Sequence, residues 1–272
     1  MTATVAALRY YPVKGCRGVE VPRSQVLPTG LANDRLFMLV DSEGRFLSQR
    51  RVRSMAVITP ELLDAGERLV FRAPGFAEVE HPVIFDGARL DVSVFSWSGK
   101  GVDQGDVVSH WLSDVLGMEC RLVRVPPEHD RDTGGEHAGK AGFADGHPML
   151  VTSLSSLDGL NARILELGGS PVPMERFRPN LVLRGWQRPH TEDDVREMSC
   201  GSLKLGFAKV CTRCAVPTVD QDTGERAGPE PIRTLAGYRR SLDGGVTFGM
   251  KAAVLEPGEL AVGEELTVIR WA

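Results

Sequence analysis

The 272-residue chain carries 32 Lys and Arg against 36 Asp and Glu, a formal net charge of −4, and is 42% hydrophobic. That is a globular composition with apolar material for one large domain or two moderate ones. Its mild acidity argues against nucleic-acid binding, and no run of about 18 consecutive apolar residues is present, so no membrane span is expected.

Met1-Thr2-Ala3-Thr4 lacks the basic segment and apolar stretch of a secretory signal, and a cytoplasmic location is expected. Five cysteines, an odd and scattered set, do not form a disulfide framework and point to a reducing setting.

The first hundred residues read as short strands separated by turns. Val5–Tyr11, Val19–Val21, Ser24–Leu27 and Leu36–Val40 come first, the last joined to Phe46–Gln49 through Asp41-Ser42-Glu43-Gly44. Leu69–Phe71, Ala77–Val83 and Arg89–Phe95 follow. Strands at this spacing suggest a barrel or sandwich rather than an alternating α/β sheet. Between Gln104 and Gly117 the apolar period changes to that of a helix, with Gly117 as its stop.

Cys120–Val125 reads as a strand, and Pro126–His147 as a long polar loop. His129, His137 and His147 fit no metal spacing, so they are expected to be exposed loop histidines. Met149–Thr152 is an apolar run before a helix, with Ser155 and Asp158 as a capping box. In Arg176-Phe177-Arg178-Pro179-Asn180 a loop enters a strand, and two arginines on alternate extended positions would share a side. Gln187–Glu197 reads as a surface loop, Ser202–Val210 as a strand and Pro231–Arg240 as a short helix. Strands at 248–255 and at Glu265–Trp271 close the chain.

The chemistry concentrates in Lys209-Val210-Cys211-Thr212-Arg213-Cys214 and the acidic turn after it. A thiolate is a soft ligand and a nucleophile, and a neighbouring cation favours it. Arg213 is placed to be that cation, but the spacing does not say for which cysteine. A Cys-x-x-Cys pair also suits half a zinc site, a redox dithiol or two small core residues. Cys16, Cys120 and Cys200 do not make a second close pair, and Pro217 with Asp222-Thr223-Gly224 argues against the long helix of a thioredoxin-like motif. Asp220 and Asp222 are acid candidates by proximity, although a turn-forming role suits them better.

Five further stretches carry a resemblance. Tyr11-Pro12-Val13-Lys14-Gly15, Gly30-Leu31-Ala32-Asn33-Asp34-Arg35, the Arg176–Asn180 run, the cysteine run with Thr218-Val219-Asp220-Gln221-Asp222-Thr223-Gly224, and the closing Phe248-Gly249-Met250 and Pro257-Gly258 segments are similar to those of the MOSC-domain proteins. Within that family the chain resembles the molybdenum-cofactor proteins related to the mitochondrial amidoxime reducing component and the bacterial YcbX-like proteins. The likeness runs from about residue 6 to residue 269. One departure is Gly15, where relatives often carry serine.

The resemblance implies a mainly β protein with a few helices (α+β). A smaller β-rich N-terminal domain, residues 1–118, would precede a MOSC β-barrel, residues 119–272. It makes Cys214 the catalytic cysteine and the ligand of molybdenum. Lys14, Gly15, Arg35, Ser153, Arg178, Asn180, Thr212 and Arg213 fall on positions that hold molybdopterin and its phosphate. Basic side chains neutralise a phosphate through charge-assisted hydrogen bonds, so the residue types agree with that reading. The implied activity is reduction of a small N-hydroxylated substrate: an amidoxime, a hydroxylamine or an N-hydroxylated base. No iron–sulfur cluster is expected in this chain, so electrons would come from a separate donor protein, ferredoxin- or cytochrome b5-like with a reductase. The alternative is a MOSC-type carrier of sulfur or of the cofactor, without redox turnover of its own.

Overall fold

The computed structural model describes residues 1–242 and 244–272. Seven strands close a barrel: β1 (Thr2–Tyr10), β2 (Met149–Ser153), β3 (Leu181–Arg184), β4 (Val195–Cys200), β5 (Leu203–Arg213), β6 (Val246–Glu256) and β7 (Glu265–Trp271). The order around it is β3-β2-β6-β5-β4-β7-β1, and β1 pairs again with β3. Only β2 and β3 run parallel. A parallel pair needs a crossover, and a helix supplies it here. Closure leaves no barrel strand with an unpaired edge.

The inner face is apolar by alternation. In β1, Ala3 and Val5 point inward, a bulge between Val5 and Ala7 shifts the phase, and Leu8 and Tyr10 point inward after it. Val151, Leu181, Leu183, Met198, Leu205, Met250 and Leu266 complete the same core.

Three helices are present among the described residues: α1 (Asp106–Leu116), α2 (Leu154–Glu166), which links β2 to β3, and α3 (Ile232–Tyr238). Helix α1 buries Val108 and Leu112, and Gly117 ends it at φ 65°, as its sequence leads one to expect. The cap of α2 differs from expectation. Ser153, not Ser155, is the N-cap and accepts from the Ser156 N–H at 3.2 Å.

Beside the barrel lies a five-stranded sheet in the order 89–94, 97–103, 121–124, 37–40 and 13–14. The two parts exchange strands across the sequence boundary expected at residue 118. Strand β1 belongs to the barrel, Arg23–Leu27 pairs with Gly258–Ala261, and Arg121–Arg124 joins the other sheet. Strand pairing follows complementary faces rather than chain position.

Two surface expectations are corrected. The Pro126–His147 segment holds a two-strand ribbon, Asp132–Thr133 with Gly139–Lys140, and its histidines are not exposed. His129, His137 and His147 are each bonded to a backbone carbonyl, of Ala141, Phe207 and Gly134, at 2.9–3.0 Å. Likewise 187–197 is no simple surface loop. It contains the start of β4, and Glu192 is fully buried, accepting from Ser153 and Ser156 hydroxyls at 2.8 and 2.7 Å. A buried carboxylate is stable where hydroxyls and a helix N-terminus satisfy it.

Candidate functional site

A cleft opens where the barrel meets the five-stranded sheet. Its walls include Lys14, Arg35, Arg50, Arg178, Arg213 and Lys251 and, among the described residues, one carboxylate, Asp145. In a chain of net charge −4, six cations around one described carboxylate concentrate positive charge in one place, a setting that suits an anion.

Lys14 ends a short strand, Val13–Lys14, that runs parallel to Phe37–Met38. Its side chain is buried, ion-paired with Asp145, and its Nζ lies 5.0 Å from the Phe46 ring. Burial lowers the pKa of the ammonium, and Asp145 opposes that shift. Burial also acts to raise Asp145, but Lys14, Lys251 and Arg35 outweigh it and hold the carboxyl below the usual range. Asp145 is hemmed in by protein, yet its side chain is 55% exposed and lines the cleft. Gly15 then turns the chain at φ 87°, its carbonyl held by Gln49 at 2.6 Å.

The arginines are arranged around one ring. Tyr11 is 2% exposed, with Arg35 4.6 Å from its centroid and Arg178 4.3 Å from it. The π faces offset the repulsion between two cations crowded into one wall. Both arginines sit in left-handed backbone, φ 51° and 57°. The 176–180 stretch is therefore not the extended segment expected. Met174–Phe177 forms a 3₁₀ turn, so Arg178 faces the cleft while Arg176 is buried towards Asp220.

Asn180 lines the cleft, but its amide is fully committed. Its oxygen accepts from Arg35 at 3.0 Å and from the Leu150 N–H at 3.1 Å. Its nitrogen donates to Asp34 at 3.0 Å and to the Arg9 carbonyl at 3.2 Å. A side-chain amide has two donors and two acceptor positions, so none is left over. Asp34 also binds the Tyr11 N–H at 2.8 Å and Arg35, and thereby fixes the arginine wall.

The cysteine loop resolves what the spacing left open. Arg213 donates to the Cys211 sulfur at 3.1 Å and to the Phe177 carbonyl at 2.8 Å. Cys211 is buried, whereas Cys214, just past the end of β5, is exposed on the cleft wall beside Thr212. Asp220 serves the turn, accepting from the Asp222 and Thr223 N–H groups at 2.9 and 3.1 Å, and Asp222 pairs with Arg17. Ser153 stands apart. It does not line the cleft, is fully buried and bonds Glu192.

Four cleft residues had no site signal in the sequence. Asp145 and His147 lay in a segment read as loop, Arg50 follows the Phe46–Gln49 segment read as strand, and Lys251 belongs to a strand. Tyr11, noted only as part of a motif, lies behind the arginine wall. Burial, with help from Lys251, Lys209 and Arg131, lowers the His147 pKa to about 4, and its Nδ1 is buried without a partner.

Two family models match the chain: "MOSC N-terminal beta barrel domain" over residues 2–119 and "MOSC domain" over residues 138–267. The mitochondrial amidoxime-reducing component 1 of Mus musculus is 30% identical over 98% of this chain and 82% of its own length. The chain belongs to the MOSC family. This MOSC protein is also 30% identical to the molybdenum cofactor sulfurase of Oryza sativa subsp. japonica, over 96% of the chain but 33% of that protein. Against the corresponding sulfurase of Danio rerio the identity is 31%, over 93% of the chain and 32% of the relative. Among the described residues no helix is long and apolar enough to cross a membrane.

Proposed function

We propose that this MOSC protein binds Mo-molybdopterin in the cleft and reduces small N-hydroxylated substrates with electrons from a separate donor protein. The observation that carries the reading is the exposed thiol of Cys214 on the wall of a cleft lined, among the described residues, by six cationic side chains and one carboxylate. The donor set fits the group. Among the described residues no three His, Cys, Asp or Glu side chains converge on a metal-sized point, so a single thiolate would hold a metal that arrives with sulfur ligands of its own. The Nε of Arg213 is buried and has no hydrogen-bond partner among the described residues.

In this reading Cys214 ligates molybdenum, and Lys14, Arg35 and Arg178 neutralise the phosphate. Thr212 and the Gly15 N–H supply neutral polar groups at the cleft wall. Asn180 and Asp34 act one layer back, holding Arg35 rather than the ligand. When bound, the cofactor supplies two-electron chemistry at an N–O bond: R–NHOH with two electrons and two protons gives R–NH2 and water. The protein's part is to hold the anion, exclude competing ligands with Phe46 and Phe177, and fix Lys14 at the phosphate end through its ion pair with Asp145. The donor is of ferredoxin or cytochrome b5 type.

Elemental analysis with pterin fluorescence tests this on wild type and Cys214→Ala. Near-stoichiometric molybdenum is expected in the first, and loss of metal and activity in the second. Wild type that lacks molybdenum when produced with cofactor synthesis intact overturns it. The exposure of Cys214 also suits a sulfur or cofactor carrier; a labile extra sulfur on Cys214 by mass spectrometry, with no molybdenum, would favour that.

A further inference from the structure

Beside the cleft, Gln49-Arg50-Arg51-Val52-Arg53 exposes three arginines within four residues. None has an ion-pair partner among the described residues. Nearby, Arg45, Arg68 and Arg72 are each paired with two carboxylates. The N–H groups of Arg51 and Val52 both bond the Ser48 carbonyl at 2.9 Å, a tight turn.

A second feature adjoins this cluster. Phe95 is 52% exposed and sits at φ 54° in the two-residue turn between strands 89–94 and 97–103. Such a turn favours asparagine or glycine, and a bulky side chain there is strained and loses hydration entropy as well. The strain comes with a definite placement. Phe95 meets Phe46 edge-on at 4.8 Å, Arg50 stacks over it at 4.9 Å, and Lys14 Nζ lies 6.0 Å from the ring. On its other side the cluster reaches the turn after Cys214: a Cβ on Gly224 would sit 3.4 Å from the Arg53 carbonyl oxygen. The rim thus runs from the hairpin tip to the cysteine loop.

Exposed arginines around an aromatic ring are the composition of a protein-docking surface, where Arg and Phe are enriched and the charge steers the encounter. We propose that this rim docks a small acidic electron-carrier protein. The inference rests on the reductase reading, because it gives the cleft a reason to receive electrons. Each encounter delivers one electron, and two encounters with two protons convert R–NHOH to R–NH2 and water. An extended polyanion fits less well, since in a chain of net charge −4 the surface away from the rim and the cleft is net negative.

The test uses holoenzyme, with reduced plant-type [2Fe–2S] ferredoxin as donor and dithionite with methyl viologen as small reductant. The variants are Arg51→Glu/Arg53→Glu and, separately, Phe95→Ser; none of these residues lines the cleft. At low ionic strength the charge reversal is expected to lower the ferredoxin-driven rate about tenfold and to remove its salt dependence, with the viologen-driven rate unchanged. Phe95→Ser is expected to lower the ferredoxin-driven rate at all salt concentrations. Equal ferredoxin-driven rates in variants and wild type overturn the proposal, as does a wild type that neither uses nor binds ferredoxin at low salt. If molybdenum-loaded wild type reduces no N-hydroxylated substrate with viologen, the reductase reading fails. Docking is then decided by titrating oxidised ferredoxin: loss of binding in the charge reversal upholds it, and retention sinks it. A single-stranded oligonucleotide bound as tightly as ferredoxin, and lost in the same variant, also overturns it.

Discussion

Arg213 directs its guanidinium at the sulfur of Cys211, 3.1 Å away, and leaves Cys214 exposed on the cleft wall. Two cysteines three apart thus have opposite situations, one packed beneath a cation and one open to reagents and ligands.

That contrast predicts different phenotypes. Cys214→Ala is expected to keep the fold and its melting temperature while losing molybdenum and activity. Cys211→Ala is expected to keep the metal but lose about 1–2 kcal/mol of stability, because a buried sulfur is removed and an arginine N–H loses its acceptor. Alkylation by iodoacetamide followed by peptide mapping gives a quicker check: Cys214 reacts first. Cys16 stays unmodified in the folded protein, since burial pushes its thiol up to about 12.

Tyr11 separates and steadies two guanidiniums. Tyr11→Phe keeps the ring and removes the 3.1 Å bond to the Pro179 carbonyl, at a cost of about 1 kcal/mol. Tyr11→Leu removes the π faces as well, and a loss of about 2–4 kcal/mol is expected, with weaker phosphate binding. Urea denaturation and phosphate titration by calorimetry measure the two effects. Equal phosphate affinity in Tyr11→Leu and wild type would show that the ring does not organise the arginines.

Gly15→Ser introduces the hydroxyl that the resemblance leads one to expect, and the backbone opposes it. At φ 87° a side chain is strained, and its Cβ would lie 2.6 Å from the Met55 Cε in a packed core. A loss of about 1–2 kcal/mol is expected, relieved in part by Met55→Leu. A thermal melt of single and double variants checks it.

His147 and His190 give the protein an acid limit. Burial first, and neighbouring arginines and lysines after it, lower both pKa values to about 4, against 6.5 for a free histidine. The unfolded chain therefore binds protons that the folded chain refuses. Stability is fully present above pH 6.5 and falls as pH drops towards 4, by roughly 2 kcal/mol for each histidine after solvent screening. Glu192, raised by burial, works in the opposite sense and blunts the slope. The His147→Gln/His190→Gln variant is expected to show a flatter stability curve over that range; an unchanged curve would remove these groups as its cause.

Local signals were legible where side chains alternate strongly or a cap is encoded nearby. The helix ending at Gly117 and the closing strand 265–271 follow from such patterns. Strands 59–63 and 97–103 escaped, because Thr-Pro-Glu-Leu-Leu and Trp-Ser-Gly-Lys-Gly-Val-Asp have weak strand propensity and are held by their partners. The histidines of 126–147 looked like surface because their partners are backbone carbonyls, which leave no trace in side-chain spacing. In the site, Lys14, Arg35, Arg178, Arg213 and Cys214 were legible as types at motif positions, whereas Arg50, Lys251, Asp145, the ring shared at Tyr11 and the saturated amide of Asn180 were not.

By itself the sequence determined the mainly β character, the family through its motifs, and which thiol and cationic side chains stand at the motif positions, since these depend on residue type and short-range order. Only the tertiary structure decided that β1 closes the barrel, that Arg213 serves Cys211 rather than Cys214, and that Arg35 and Arg178 share one ring. Those outcomes depend on which distant segments pack together, and packing is set by the burial of whole faces rather than by neighbours along the chain.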